Sequence, residues 1–191
     1  MHELILSNFA MHIALAAEEQ QQALTLLQHK TILKRSLLLE AGNIDRGIYF
    51  VNKGCLRMFN TDKDGNQHTI CFYPENLWAC DIVSFFNKKP AANTIQALED
   101  TELYYFSLPS LEELFEKVPK FERFFRILTQ NGFEMYQRRI ISNLSKTAEQ
   151  RYMLFRRHYP GLEQRIAQKH IAGYLGITPA FLSMMRKDKN I

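Results

Sequence analysis

The chain has 191 residues, 46% of them hydrophobic and 23% charged, with a formal net charge of +4. This is enough to bury a core, and the length suits one larger domain followed by a smaller one. No run approaches the roughly 20 apolar residues that span a bilayer, and no N-terminal stretch joins basic residues to an apolar run and a cleavage site. A soluble, cytoplasmic protein with no membrane contact is therefore expected.

Three cysteines, Cys55, Cys71 and Cys80, are odd in number and lack CxxC spacing or a matching histidine group. They are expected to pack as small apolar side chains, not to form disulfides or bind metal. Charge is unevenly spread. From Lys146 onward nine Lys or Arg stand against three acids, a balance of +6, whereas the preceding residues carry −2. A basic module joined to a near-neutral body is the electrostatic pattern of a duplex-binding appendage.

In chain order, the first 30 residues suggest helix, with Leu15, Ala16, Ala23, Leu26 and Leu27 as apolar positions among Glu and Gln. From Thr31 to Ser107 short β-rich runs follow one another at 31–33, 37–39, 48–51, 55–59, 69–73, 94–97 and 103–106. Asn52-Lys53-Gly54 and Asp62-Lys63-Asp64-Gly65-Asn66 supply turns, because Gly, Asn and Asp tolerate positive φ. Such a series predicts a sandwich or jelly roll.

Past Pro109 helix-forming sequence takes over, and Pro119 can open a long helix to Leu144. Its apolar residues Phe121, Phe124 or Phe125, Leu128 and Met135 fall near a seven-residue repeat, so Phe121, Phe125, Leu128 and Met135 are the candidate dimer interface. The same stripe would also suit packing on the chain's own sandwich. Thr147 and Gln150 form a capping-box pattern for the next helix, which Pro160-Gly161 ends. The expected domains are 1–118, a helix at 119–144, and 145–191.

The segment 168–187 carries the functional signal. Ile171, Ala172 and Leu175 give a short helix its buried face, and Gly176 can take the left-handed conformation that turns the chain. Ile177 can fill the space between helices, Thr178 caps the next helix, and Pro179 occupies its first turn. Leu182 and Met185 face inward, leaving Thr178, Ala180, Ser183, Arg186 and Lys187 outward. A second helix presented this way is laid in a major groove.

With these residues in place, the chain resembles the Crp/Fnr superfamily of transcription regulators, in the short form found in Bacteroidetes. Glu40-Ala41-Gly42, Gly47-Ile48-Tyr49-Phe50-Val51-Asn52-Lys53-Gly54 and Ala97-Leu98-Glu99-Asp100-Thr101 resemble strand segments of its sensor, and 145–159 with 168–187 its winged helix-turn-helix. The resemblance implies an α+β fold: an N-terminal antiparallel jelly roll of cyclic nucleotide-binding type, a long dimerisation helix and a C-terminal winged helix-turn-helix. It also implies a homodimer on a palindromic double-stranded operator, with RNA polymerase as a potential further partner.

Two departures bear on ligands. Where cyclic AMP-binding members place a Gly-Glu pair and an Arg with a small hydroxyl residue, this chain has Cys80-Asp81 and Ala91-Ala92. A cyclic phosphate would lack its guanidinium there, so Asp81, Ala91 and Ala92 mark an effector pocket for some other small molecule, and Asp81 is expected to cap a turn. No cofactor is expected. Where members carry an Arg-Glu pair and a further Arg for bases, this chain has Pro179, Ala180 and Met184. Ser183 and Arg186 are left as candidate base or near-base contacts, Lys169, Lys187 and Lys189 as phosphate contacts, and Thr178 as a further DNA-binding residue. The iron-sulfur and haem branches find no cysteine cluster here, and His68 is a lone strand histidine. A cupin-like metalloenzyme needs two histidines and a carboxylate, but His68 is the only histidine between 31 and 107. An interaction module with a degenerate helix-turn-helix is the remaining alternative.

Overall fold

The structure is a computed structural model that describes residues 2–188. The chain opens with α1 (Glu3–Ala10) and α2 (Ala17–Leu26), so Leu15 and Ala16 lie in the link between two helices. Eight strands follow: β1 (Gln28–Ile32), β2 (Leu37–Leu39), β3 (Ile48–Lys53), β4 (Leu56–Thr61), β5 (Gln67–Tyr73), β6 (Trp78–Ala79), β7 (Thr94–Ala97) and β8 (Thr101–Phe106). They form two four-stranded sheets, ordered β1-β8-β3-β6 and β2-β7-β4-β5, the sheets of the expected jelly roll. In the first sheet β8 is central. It pairs antiparallel with β1 from Gln28 opposite Tyr105 to Ile32 opposite Thr101, and with β3 from Ile48 opposite Phe106.

Two elements lay outside the sequence expectation. β6 is only two residues long, and α3 (Ile82–Asn87) interrupts the β region. Asp81 is its N-cap, with the carboxylate accepting from the Ser84 amide at 3.1 Å, so the expected capping role is met by a helix. Then come α4 (Leu108–Lys117), α5 (Lys120–Ser145), α6 (Ala148–His158), α7 (Leu162–Arg165), α8 (Gln168–Leu175) and α9 (Pro179–Asp188). Among the described residues no strand follows β8. Pro160-Gly161 leads directly into α7. Among the described residues no helix is long and apolar enough to cross a membrane.

The chain divides into two compact units, residues 1–58 with 72–132, and residues 59–71 with 133–191. The division therefore falls inside α5 and takes in the tip of the β4–β5 hairpin, not the boundaries 118/119 and 144/145 expected from sequence. In the first unit an aromatic-rich core joins Phe9, Phe50, Trp78, Phe106, Phe121, Phe124 and Phe125. Phe9 meets Phe121 and Phe124 edge-on, and the Trp78 indole N–H donates to Asn8 Oδ1 at 2.9 Å.

This core corrects half of the expected dimer interface. Phe121 and Phe125 are buried against α1, β6 and β8 of their own chain, because α5 opens with three aromatic residues on the face that closes this core. Leu128 is half-buried against the same core, and Met135 is half-buried with its sulfur 3.9 Å from Cys71 Sγ. The exposed apolar side chains of α5 lie further on: Phe133, Tyr136, Ile140, Ile141 and Leu144.

Candidate nucleic-acid interface

The helical unit builds its core from Tyr152, Phe155, Tyr159 and Leu162 under Ile171, Ala172, Leu175, Leu182 and Met185, all buried. α6 begins with the predicted capping box: Gln150 N donates to Thr147 Oγ1 at 3.3 Å, and Thr147 N donates to Gln150 Oε1 at 3.1 Å. α8 ends at Gly176, whose φ of +67° is the left-handed conformation that glycine adopts without strain. Ile177 N donates back to Ala172 O at 3.1 Å, which tightens the turn while the Ile177 side chain is half-buried. Thr178 then caps α9, its Oγ1 accepting from Phe181 N at 3.2 Å. Helix, left-handed glycine, capped second helix and inward Leu182 and Met185 all stand where the sequence placed them.

The outer surface differs in detail. Thr178, Ala180, Lys187 and Lys169 are exposed and Ser183 is half-buried. Arg186 is also half-buried, and its guanidinium lies close enough to act on the Tyr152 phenol. Burial and the bond from Tyr152 Oη to Glu163 Oε2 at 2.6 Å raise that phenol's pKa above its ordinary value, and Arg186 and Arg156 oppose the rise. Lys189 lies outside the described residues. Phe181, to which the sequence reading assigned no role, and Met184, which stands where family members carry a further Arg, are 42% and 52% exposed. Their spacing of three residues puts them side by side on α9.

A second feature of this unit was not foreseen. Residues 67–70 of β5 lie against α5 and α8, with Arg139 as the clasp. Its Nη1 donates to Ile70 O at 2.5 Å, and its Nη2 donates to Thr69 O at 2.7 Å and Tyr174 O at 2.8 Å. The guanidinium carbon sits 3.7 Å from the Tyr174 ring centroid. Arg151 adds bonds to Leu175 O and Lys146 O. Gly173 is required by closeness: a Cβ there would stand 2.9 Å from Gln67 O. A cavity of about 510 Å³ opens beside this clasp, lined among others by His68, Tyr136, Arg139, Asn143 and Arg151. His68 itself is exposed and bonded to Asp62 Oδ2 at 2.8 Å.

In the first unit the residue that follows Ala92 reaches Asp81. Asn93 Nδ2 donates to Asp81 Oδ2 at 3.1 Å, and Ala91 is held by paired backbone bonds with Gly42 and Asn43. Asp81 and Ala91 are buried and Ala92 is exposed. Sequence reasoning missed Asp45, which is buried next to them and accepts from Asp81 N at 2.8 Å and Gly47 N at 3.4 Å. Burial drives its carboxyl up to about 6, against the lowering effect of those amides. Burial and Asp45 likewise push the Cys80 thiol and the Tyr49 phenol upward. Cys55, Cys71 and Cys80 are free. Among the described residues no group of three or more His, Cys, Asp or Glu is placed to hold a metal ion.

Residues 29–118 match the cyclic nucleotide-binding domain family. The regulatory protein HlyX of Actinobacillus pleuropneumoniae is 23% identical over 193 residues, covering 94% of this chain and 79% of its own. Among solved structures, FixK2 of Bradyrhizobium japonicum superposes with a TM-score of 0.73 at 16% identity, covering 85% of this chain and 83% of its own. The c-di-GMP-responsive global regulator CLP of Xanthomonas campestris gives 0.72 at 13% identity, with 91% of each chain covered.

Proposed function

We propose that this chain is a regulator of the Crp/Fnr type, a sequence-specific DNA-binding transcription regulator that acts as a homodimer. The observation that carries the reading is the turn from Leu175 to Thr178. A left-handed Gly176 and a threonine cap hold α9 with Leu182 and Met185 buried and its opposite face open, within the part of the chain that carries +6. In this reading α9 enters the major groove. Thr178 and Ser183 approach the bases, Lys169 and Lys187 meet phosphates, and Arg186, on the flank of α9, sits at the groove edge. Lys189 is assigned to phosphate by its place in the sequence.

Dimerisation is supported by the second half of α5, where Phe133, Ile140 and Leu144 are 70%, 60% and 83% exposed at heptad-like spacing. These residues take the role that Phe121 and Phe125 cannot fill. The sensor is proposed not to take cyclic AMP. Asp45 and Asp81 put two buried carboxyl groups where Ala91 and Ala92 offer no cation, so a phosphate entering there would meet like charge. A small effector of other chemistry is the expected occupant, and RNA polymerase a downstream partner.

The test is a gel-shift titration on duplex DNA across a salt series. Three lysine contacts per subunit make about six phosphate contacts in the dimer, for which log K should fall with log salt at a slope of about −5. Leu144→Glu should give a monomer by sedimentation and lose most of the affinity. Binding that is flat between 50 and 200 mM salt, or undiminished in a monomer, would sink the proposal.

A further inference from the structure

The outward row of α9 is short of hydrogen-bonding groups. Ala180, Ser183, Met184 and Lys187 form it, with Phe181 beside Met184, and Ser183 is half-buried. The first two turns, which lie nearest the bases when such a helix enters a groove, therefore present mainly carbon: a methyl, a phenyl ring and a thioether. Pro179 has neither an N–H nor a polar side chain to add. Lys187 and Arg186 stand only in the last turn.

In the major groove guanine, adenine and cytosine present polar edges, and an apolar side chain pressed against them leaves those edges unpaired. Thymine alone presents a methyl group. Resting on the DNA-binding reading above, we infer that α9 recognises its half-site largely through thymine C5-methyl groups, with Phe181 and Met184 as the specificity-determining residues. The basic surroundings hold the helix on the backbone, which supplies affinity without sequence information. Phe181 and Met184 then supply discrimination, since only a step bearing a methyl in the right place covers their exposed carbon.

The test separates this inference from its premise. Sites bound by the full chain are selected from a random duplex pool, and each thymine of the consensus is then replaced singly by uracil, which removes the methyl and keeps the hydrogen-bonding edge. One or two thymines per half-site should each lose about 3- to 5-fold in affinity, the scale of one buried methyl group. Phe181→Ala and Met184→Ala, both at exposed positions, should each bind thymine and uracil duplexes equally at one of those steps. If uracil costs nothing, if the losses persist unchanged in both variants, or if the consensus holds no sensitive thymine, the inference is overturned while DNA binding stands. If no duplex binds at any salt, both readings fall.

Discussion

Arg138 and Arg139 are neighbours on α5, yet their removal should differ nearly tenfold in effect. Arg139 donates three charge-assisted bonds to the carbonyls of Thr69, Ile70 and Tyr174 and covers the Tyr174 ring. Each such bond is discounted to about 1 kcal/mol, because the side chain is half-buried and the carbonyls can partly rehydrate; the cation–π contact adds about 0.5 kcal/mol. Arg139→Met should therefore cost about 3.5 kcal/mol. Arg138 pairs with Glu134 one turn away, with the two side chains 77% and 55% exposed, and Arg138→Ala should cost about 0.3–0.5 kcal/mol. Urea unfolding followed by circular dichroism gives the comparison, with a constant m-value confirming that stability alone has changed. Hydrogen exchange at the amides of α8 should rise in the Arg139 variant and stay unchanged in the other. Arg139→Lys should recover at most a third of the loss, since an ammonium cannot span three carbonyls in one plane. Two arginine deletions of equal effect, within 0.5 kcal/mol, would show that the clasp holds nothing.

Two further outcomes follow from the same coordinates. Gly173→Ala should destabilise, despite alanine's better helix propensity, because its Cβ would meet the Gln67 carbonyl at 2.9 Å, whereas Gly132→Ala, with nothing within 4 Å, should stabilise by about 0.5–1 kcal/mol; thermal melts of the two variants should move in opposite directions. Asp45 binds its proton more tightly in the folded chain, at about 6 against an ordinary 3.8, so the stability it contributes is complete below 3.8 and is lost as pH rises through about 6. On the order of 3 kcal/mol is at stake, and urea midpoints between pH 4 and 7 should show a decline that Asp45→Asn flattens; an unchanged slope in that variant would remove Asp45 as its source.

The helix-turn-helix was legible in the sequence because its signals are local. Gly176, Thr178 and Pro179 each dictate backbone within two residues, and Leu182 and Met185 follow by helical spacing. Most strands were legible for the same reason, with Gly54 and Gly65 marking turns at positive φ. Phe121 and Phe125 were read as a dimer stripe because periodicity reveals which side of a helix is apolar but not what covers it. Phe121 and Phe125 are covered by Phe9 and Trp78, residues far away in sequence. Asp45 and Arg139 escaped for a related cause. A lone acid in a loop and one arginine among several on a charged helix carry no sequence signal, and both acquire their roles from partners 30 to 70 residues distant.

Because β5 inserts its backbone under Gly173, the folding unit that bears α9 is not continuous in the chain. A fragment begun at Ser145 would contain every helix of the reader yet lack Arg139 and the strand edge it grips. The Tyr174 carbonyl would then lack the Arg139 guanidinium, and the close-fitting flank of α8 would face water. Excising the reader as a tidy C-terminal piece would thus deliver a loosened domain. On the DNA-binding proposal above, its loss of affinity would measure the missing hairpin as much as the missing sensor.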